Sequence, residues 1–418
     1  MPLRHRARAR HASRAPRHRA LVAVLSAAMA IGGFALVGGT SYALLAQGSL
    51  ERTDIATLTA PKSDAGEVVE EAEPTDFAAG EPINILLIGS DERNGENGDI
   101  GGRVAEGMRS DTTMIMHISG DRTRIDVVSI PRDLRVRIAD CQMFDGTTLT
   151  GWTAKFNTAF SLGGSNGDRA EAAACTMRTV TDFTGIDFNN HYVVVDFSGF
   201  QNMIDSLDGV PMCIPTDMYS TKAKLDLEAG AQVLDGETAL AYARARTGTG
   251  LGDGTDLMRI DRQHELLTNT ARKALGLNML TDVQQLTDFV RSGAESLTLD
   301  PQLGSIGNLA GLAWHLRDFD TDNLTFTTVP WAYAGDASGD VVMLEAEAQE
   351  MFARLVADVP LEDADADEQT DPTASPSPSS TASTTPEAVA TPSPSATSTT
   401  PVRETEADIL ASCAVEDL

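Results

Sequence analysis

An uncharged apolar segment near the N-terminus lies between a short basic region and a long acidic region. Residues 21–46 contain no Asp, Glu, Lys, Arg or His, and these 26 residues exceed the roughly 20 that an α-helix needs to cross a bilayer. Residues 1–20 hold seven arginines and no acidic residue, which favours a cytoplasmic N-terminus. A cleaved signal peptide is the alternative, although its apolar core is usually only about 7–15 residues long. We predict a cytoplasmic basic tail over 1–20 and an uncleaved transmembrane signal anchor over 21–46.

The rest of the chain is strongly acidic, and we expect it to lie outside the cytoplasm. The whole chain has 32 basic and 61 acidic residues, a formal net charge of -29; without the seven N-terminal arginines the balance is 25 against 61, or -36. A basic tail can also indicate nucleic-acid binding, but the adjoining apolar span explains it as a topology signal. We therefore predict a single-pass protein of the cell membrane with no nucleic-acid partner.

Composition divides the outer region into four parts. Residues 47–80 are acidic and lack apolar periodicity, which predicts a stalk next to the membrane. Residues 361–405 change from Asp/Glu-rich to Pro/Ser/Thr-rich sequence, which buries too little apolar surface to fold and predicts a disordered spacer. Residues 406–418 regain some apolar character as a short C-terminal segment. The remaining residues, 81–360, form the predicted globular domain.

Short apolar runs alternate with helical patterns in the predicted domain. The runs are bounded by Gly, Pro or Asp, as buried strands are, and they lie at 83–89, 112–118, 124–130 and 191–197. Helices are predicted at 168–183, 197–207, 236–243, 256–275, 281–292 and 344–356. This alternation predicts an α/β fold in which helices cover a central sheet.

All four cysteines fall on the predicted outer side of the membrane, where disulfides persist, and they permit three pairings. We expect Cys141 to pair with Cys175, because closing that 34-residue loop would contribute roughly 3–4 kcal/mol on the chain-entropy model. Cys213 and Cys413 then remain as a pair by elimination.

Four arginines lie within residues 242–263 of this acidic chain: Arg244, Arg246, Arg259 and Arg262. Planar guanidinium groups match phosphate oxygens bidentately, so the cluster indicates an anion-binding site. The alternative is a solvated, salt-bridged helix end.

Two aspartates flank the first two predicted strands. Asp91 follows the first strand and Asp111 precedes the second, and the strand ends of α/β sheets are where ligands bind. Two carboxylates that face one pocket suit a Mg²⁺ that also binds phosphate oxygens. The alternative is that each is an ordinary turn or cap residue.

An ordered series of segments resembles the domain of LytR-CpsA-Psr (LCP) proteins over residues 82–274. The segments are IGSD, RSDTTM, SIPRDLRV, KFNTAFSLGG, HYVVVDFSGFQNMIDSLDGV, LDGETALAYARAR and DLMRIDRQ. The resemblance implies a single α/β/α domain with a central mixed sheet and a hydrophobic channel for a polyprenyl lipid. It also implies a Mg²⁺- or Mn²⁺-dependent phosphotransferase that moves a glycopolymer from a polyprenyl-pyrophosphate donor to an acceptor, usually peptidoglycan.

Carried over by motif, the resemblance assigns a role to each charged position. Asp91 and Asp111 would hold the metal and, with Arg244 and Arg246, carry the catalysis. The pyrophosphate site would be formed by Arg109, Arg132, Lys155, Arg259 and Gln263, with Asp256 holding the arginines. On a helix, Asp256, Arg259 and Gln263 share one face at i, i+3 and i+7, whereas Arg262 lies off that face.

The proton acceptor for the attacking hydroxyl has two candidates. Asp91 is the general base in one interpretation, and in the other the metal alone lowers the pKa of the hydroxyl. The apolar residues of 197–207 and 266–280 would line the lipid channel or form ordinary core.

Two departures from the family pattern affect these expectations. A Gly/Asn-rich insert lengthens the loop between Asp91 and Asp111 and would act as a lid or recognise the acceptor. Ala231 stands where related actinobacterial proteins often have a cysteine that pairs near Cys213, which makes Cys413 the expected partner of Cys213.

The leading functional hypothesis is therefore an extracytoplasmic glycopolymer phosphotransferase, with arabinogalactan or another wall polysaccharide as the transferred polymer and pyrophosphatase activity expected in vitro. Teichoic-acid-like polymers and capsule stay open as the transferred polymer. Two alternative functions also stay open: a non-catalytic wall regulator that binds polyprenyl phosphate or glycan, and a ligase that adds glycan to a surface protein.

Overall fold

The structure is a computed structural model. It describes residues 51–59, 76–92, 96–101, 107–252, 256–276, 297–316, 319–336, 338–361 and 413. The predicted basic tail, transmembrane anchor, C-terminal spacer and terminal segment lie outside these residues, apart from Leu361 and Cys413, as does the predicted helix 281–292. Within the described ranges, no helix combines the length and apolar character that crossing a bilayer requires.

A seven-stranded mixed sheet lies at the centre of the domain. In spatial order its strands are β1 (Glu51–Arg52), β14 (Leu297–Leu299), β9 (Tyr192–Val195), β2 (Ile83–Ser90), β3 (Ser110–Ile118), β4 (Ile125–Ser129) and β15 (Leu324–Thr328). Strand β2 pairs antiparallel with β3 and parallel with β9. The predicted α/β fold with a central mixed sheet is confirmed.

Hydrophobic clusters pack on both faces of this sheet. Side chains alternate between the two faces along each strand, so one strand contributes to both clusters. On β2, Leu86 and Ile88 pack into one hydrophobic cluster, whereas Ile83 and Ile85 pack into another. These clusters include residues from helices on opposite faces of the sheet. The described helices are α1 (Ala56–Thr59), α2 (Glu96–Gly101), α3 (Thr158–Gly163), α4 (Arg169–Thr184), α5 (Phe197–Ser206), α6 (Gly236–Arg244), α7 (Asp256–Gly276), α8 (Ile306–His315) and α9 (Glu345–Val356).

Ten short strands form five two-stranded ribbons around the main sheet. They are β5 (Arg135–Arg137) with β8 (Thr153–Lys155), β6 (Cys141–Gln142) with β7 (Thr148–Leu149), β10 (Val210–Ile214) with β13 (Gly230–Leu234), β11 (Met218–Ser220) with β12 (Leu225–Leu227), and β16 (Trp331–Tyr333) with β17 (Val341–Met343). The β11–β12 and β16–β17 hairpins lie beside the functional site described below.

Part of the predicted stalk over residues 47–80 is folded against the domain. Strand β1 pairs with β14, and Ile55 and Leu58 are 0% and 4% exposed in the main core. Asp76 forms a buried ion pair with Arg122, with its Oδ2 2.9 Å from the arginine Nε. The sequence pattern missed this segment because its elements are two and four residues long, too short to give a periodic signal.

The structure contains both disulfides that were predicted, Cys141–Cys175 and Cys213–Cys413. The first joins β6 to α4. The second links β10 to a residue 200 positions later in the chain, so it attaches Cys413 to the domain.

Candidate active site

Three predicted site residues meet where β2 ends and β3 begins. The two strands are antiparallel, and Ser90 pairs with Ser110 after a register shift at the end of β2. The backbone N–H of Asp91 donates to the carbonyl of Arg109 at 2.8 Å. Strand pairing therefore brings Asp91 and Asp111 together despite the 20 positions between them.

A charged pocket of about 430 Å³ opens at this point. Seven of its lining residues were predicted from the sequence: Asp91, Arg109, Asp111, Arg132, Arg244, Arg246 and Arg259. We call this space the charged pocket. Its arginines come from four separate segments, so the fold concentrates arginines more strongly than the sequence cluster alone.

Asp111 lies at the centre of an arginine network. Arg132 Nη1 donates to its Oδ1 at 2.5 Å, and Arg259 Nη1 lies 4.0 Å from its Oδ2. Arg259 is only 2% exposed, and its Nη2 also donates to the Asp111 carbonyl at 2.8 Å. Burial raises the pKa of Asp111, but the charges of Arg259, Arg132 and Arg246 outweigh burial and hold the pKa below its ordinary value of 3.8.

Arg244 lies at the end of α6 and packs on an aromatic ring. Its Cζ is 4.1 Å from the centroid of the Phe197 ring, a distance at which the π face attracts a cation. Helix α6 starts at an N-cap, because the Asp235 side chain accepts from the Thr238 N–H at 2.8 Å. Capping fixes where the helix begins, and nine residues later Arg244 reaches the pocket.

An apolar cavity of about 310 Å³ adjoins the charged pocket. Its walls come from β2, β3, β9, β14, α5, α6 and α7, and the two spaces share Asp111, Arg244 and Arg259 as lining residues. Phe197, Phe200 and other residues of α5 line it, as do Leu266 and Leu267 of α7. Some apolar residues of the predicted 197–207 and 266–280 segments thus line the cavity, and others do not. We call this space the apolar cavity.

Three predicted pyrophosphate-site residues do not contribute described side chains to the charged pocket. Gln263 lines the apolar cavity, where its Oε1 accepts from Thr112 and its Nε2 donates to the Ala243 carbonyl. Lys155 contacts carboxylates outside the pocket, as detailed below. Asp256 begins α7, but its side chain lies outside the described part of the chain.

Arg262, which the helix pattern placed off the site face, is a structural residue. It is 7% exposed, and its guanidinium donates to the carbonyls of Ala245 and Leu251. These contacts hold the loop that carries Arg246.

Four lining residues were not predicted from the sequence: Ser220, Lys222, Ala223 and Thr247. The first three belong to the β11–β12 hairpin, and Ser220 Oγ donates to the Thr247 carbonyl at 2.8 Å. The hairpin therefore forms one wall of the charged pocket. A lysine in an exposed turn carries no local signal for such a position.

The insert between Asp91 and Asp111 is described in part, as helix α2. Asn97 is buried there; its Nδ2 donates to Asp196 Oδ2 at 3.0 Å, and its Oδ1 accepts from the Ser198 N–H at 2.9 Å. These bonds attach the insert to the start of α5. Residues 93–95 and 102–106 of the insert, which the predicted lid would also include, lie outside the described residues.

The donor set for a metal consists of two carboxylates. Asp91 and Asp111 line one pocket, and the described part of the chain has no group of three or more His, Cys, Asp or Glu side chains arranged around an ion. Mg²⁺ typically binds one or two carboxylates together with substrate phosphates and waters. The residues present therefore fit a metal whose remaining ligands come from a phosphate substrate.

Comparison with known proteins agrees with this architecture. The LytR_cpsA_psr family model matches residues 50–356. The chain is similar to the probable cell wall biosynthesis protein LcpB of Corynebacterium glutamicum, with 32% identity over 283 residues, 65% of this chain and 60% of that protein. It is also similar to the polyisoprenyl-teichoic acid–peptidoglycan teichoic acid transferase TagV of Bacillus subtilis, with 29% identity over 51% of this chain and 49% of that protein.

The chain thus spans about half to three-fifths of the length of these curated relatives. Among solved structures, protein gbs0355 from Streptococcus agalactiae matches with a TM-score of 0.54 and 18% identity, covering 69% of this chain and 91% of that one. This likeness shows the shared fold.

Proposed function

Because the chain belongs to the LytR-CpsA-Psr family, we propose that it is a membrane-anchored phosphotransferase that moves a glycopolymer from a polyprenyl-pyrophosphate carrier to a cell-wall acceptor. The similarity to TagV, a polyisoprenyl-teichoic acid–peptidoglycan teichoic acid transferase, supports this class of reaction. Peptidoglycan is the proposed acceptor, and a wall polysaccharide such as arabinogalactan is the proposed cargo.

The observation that carries the proposal is the junction between the two spaces. A polyprenyl pyrophosphate is an apolar chain joined to two phosphates, and the apolar cavity joins the charged pocket through Asp111, Arg244 and Arg259. Burying the prenyl chain contributes about 0.8 kcal/mol per CH₂. The guanidinium groups would bind the phosphates, so the donor's two chemistries match the two compartments.

The proposed reaction is a phosphoryl-centred displacement. The oxygen of an acceptor hydroxyl forms a bond to the phosphorus that carries the glycan, and the bond from that phosphorus to the bridging oxygen breaks. Polyprenyl monophosphate leaves, and the glycan remains on the acceptor through a phosphodiester. Negative charge builds on the phosphate oxygens during transfer, and preorganised arginines stabilise it without further reorganisation.

The contacts of Asp111 suit that carboxylate to one task in the proposed reaction. Arg132 and Arg259 engage Asp111 and keep its pKa low, which makes that carboxylate a poor proton acceptor and a good anchor for the arginines. Asp91 is therefore the proposed general base that takes the proton of the acceptor hydroxyl.

A divalent metal such as Mg²⁺ or Mn²⁺ would be held by Asp91 and Asp111 together with donor phosphate oxygens. When bound, it supplies positive charge that neutralises the phosphates.

The full-length protein in detergent, given geranylgeranyl pyrophosphate and Mg²⁺, tests the catalytic claim. We expect release of prenyl monophosphate or inorganic phosphate, measured by chromatography. Arg244→Ala should lower kcat/KM at least about 10²-fold, in the range of a lost transition-state donor. Arg137→Ala is the matched control, because Arg137 is exposed and pairs only weakly with Asp140. No turnover, or equal turnover in Arg244→Ala and the wild type, would refute the catalytic proposal and favour a binding role.

Depletion in cells tests the acceptor. Wall polysaccharide should appear in the medium when the protein is depleted, measured by mass analysis of wall and supernatant. Loss of glycan from a surface protein, with the wall unchanged, would instead support a protein acceptor.

A further inference from the structure

A chain of ion pairs leads from the charged pocket to the β16–β17 hairpin. Arg132 contacts Asp111 at 2.5 Å through Nη1, and its Nε lies 3.6 Å from Asp133 Oδ2. Lys155 Nζ donates to Asp133 Oδ1 at 2.7 Å and lies 3.2 Å from Asp340 Oδ1. The lysine ammonium therefore bridges two carboxylates and does not line the pocket.

The hairpin is also attached by backbone and by a second cation. The Val341 N–H donates to the Asp133 carbonyl at 3.2 Å, and Leu134 forms a parallel bridge with Val341. Arg135 Nη2 and Nε donate to Asp340 Oδ2 at 2.8 and 3.1 Å. Asp340 thus lies where the hairpin meets the segment that begins with Arg132.

Exposure indicates where this network is constrained. Asp340 is 9% exposed, and a carboxylate removed from water to this degree requires charged partners. The Lys155 side chain is 41% exposed and that of Asp133 is 18% exposed. Moving Lys155 into the pocket would break its contacts with both carboxylates. The more buried carboxylate, Asp340, would then lose one of its two described cationic partners and keep Arg135.

We propose that Asp340 is a positioning residue for the transfer reaction, and that it acts on Arg132 through Lys155 and Asp133. Asp340 holds the lysine, the lysine fixes the Asp133 carboxylate, and that carboxylate limits where the neighbouring guanidinium can turn. With Asp111 on the other side, Arg132 is held from two directions before the donor arrives. Such preorganisation matters most in the transition state. The inference rests on the function proposed above.

Asp340→Asn is the test, and Asp336→Asn is the matched control. Both carboxylates accept from Arg135, but only Asp340 contacts Lys155. Each substitution is made in the wild-type protein and in Arg132→Ala, and the full-length protein is assayed with geranylgeranyl pyrophosphate and Mg²⁺. We expect Asp340→Asn to lower kcat/KM about 10-fold with Arg132 present, mostly through kcat, and less than about 2-fold in its absence, because coupled residues are not additive.

Three results would overturn the positioning role: equal losses in both backgrounds, a loss confined to KM, or an equal loss in Asp336→Asn. Thermal unfolding checks that each variant folds. If Asp340→Asn does not fold, Lys155→Met breaks the same link while leaving Arg135 on Asp340, and the same pattern is expected. If the wild type shows no turnover, the proposed function fails separately. The same four proteins are then compared by calorimetric binding of geranylgeranyl pyrophosphate. Asp340→Asn should weaken this binding only when Arg132 is present.

Discussion

Replacing Phe197 with leucine should weaken donor turnover, because it removes the aromatic face on which Arg244 packs. The Arg244 Cζ lies 4.1 Å from the ring centroid. Phe197 is 6% exposed and lines the apolar cavity. Leucine keeps that wall apolar, so the substitution changes the support of the guanidinium more than the chemistry of the cavity.

The expected magnitude follows from the burial of the ring. Cation–π contacts contribute about 0.5–1 kcal/mol at exposed sites and about 2 kcal/mol when desolvated. For a ring this buried, a loss of about 1–2 kcal/mol is expected, which corresponds to roughly 5–30-fold in kcat/KM. Arg244 would still carry its charge but would sample more orientations.

The assay compares kcat/KM for geranylgeranyl pyrophosphate in full-length variants. Phe200→Leu is the control, because Phe200 also lines the apolar cavity but has no described contact with the guanidinium. A double-mutant cycle with Arg244→Ala isolates the coupling. If Phe197→Leu costs the same activity with and without Arg244, or no more than Phe200→Leu, the ring does not act through Arg244 and the reasoning is refuted.

Three further predictions concern stability and the pocket wall. Ile55→Ala should lower the free energy of unfolding by about 2–5 kcal/mol in urea titrations. Thr57→Ala, at an exposed position, should change it by less than about 0.5 kcal/mol. Equal effects would show that this segment does not pack in the core. The Arg122 partner and backbone bonds outweigh the effect of burial and hold the pKa of Asp76 below its ordinary 3.8, so the stabilisation by Asp76 is present above about pH 4 and is lost as pH falls through its lowered folded-state pKa. The difference in Tm between wild type and Asp76→Asn should therefore be full at pH 7 and shrink below about pH 4; a constant difference would contradict it. Gly248→Ala should lower kcat/KM, because a Cβ there would lie 2.0 Å from a carbonyl oxygen of β11 and displace the hairpin that walls the charged pocket; unchanged kinetics would argue against that wall.

Several long elements of the fold were predictable because their signals are local. Strand β2 was expected at 83–89 and is Ile83–Ser90, and helix α7 was expected at 256–275 and is Asp256–Gly276. Strands β1 and β14 gave no such signal. They have two and three residues, and β1 pairs with a partner about 250 positions away. Pairing at that distance depends on the assembled sheet, which local periodicity does not report.

For the site, residue types were predictable from the sequence, whereas the directions of the side chains were not. Guanidinium groups at 244, 246 and 259 indicated an anion site from the sequence, and all three line the charged pocket. Lys155 was expected beside them, but its direction depends on Asp340, a residue 185 positions later that no motif connected to it. Lys222 lines the pocket because it lies in the turn of the β11–β12 hairpin. The neighbouring sequence does not predict where that turn is placed.

The arrangement around Asp111 explains how so many cations remain together before a substrate arrives. Like charges within a few ångströms repel strongly in a partly buried site, yet Arg132 and Arg259 both approach this one carboxylate. Asp111 reduces the repulsion between them and orients both toward the space that a phosphate would enter. Because this role requires Asp111 to stay ionised, its lowered pKa and its unsuitability as a base have one cause. In the reaction proposed above, Asp91, the other carboxylate of the pocket, would then accept the proton, so that one carboxylate organises the arginines and the other acts as the base.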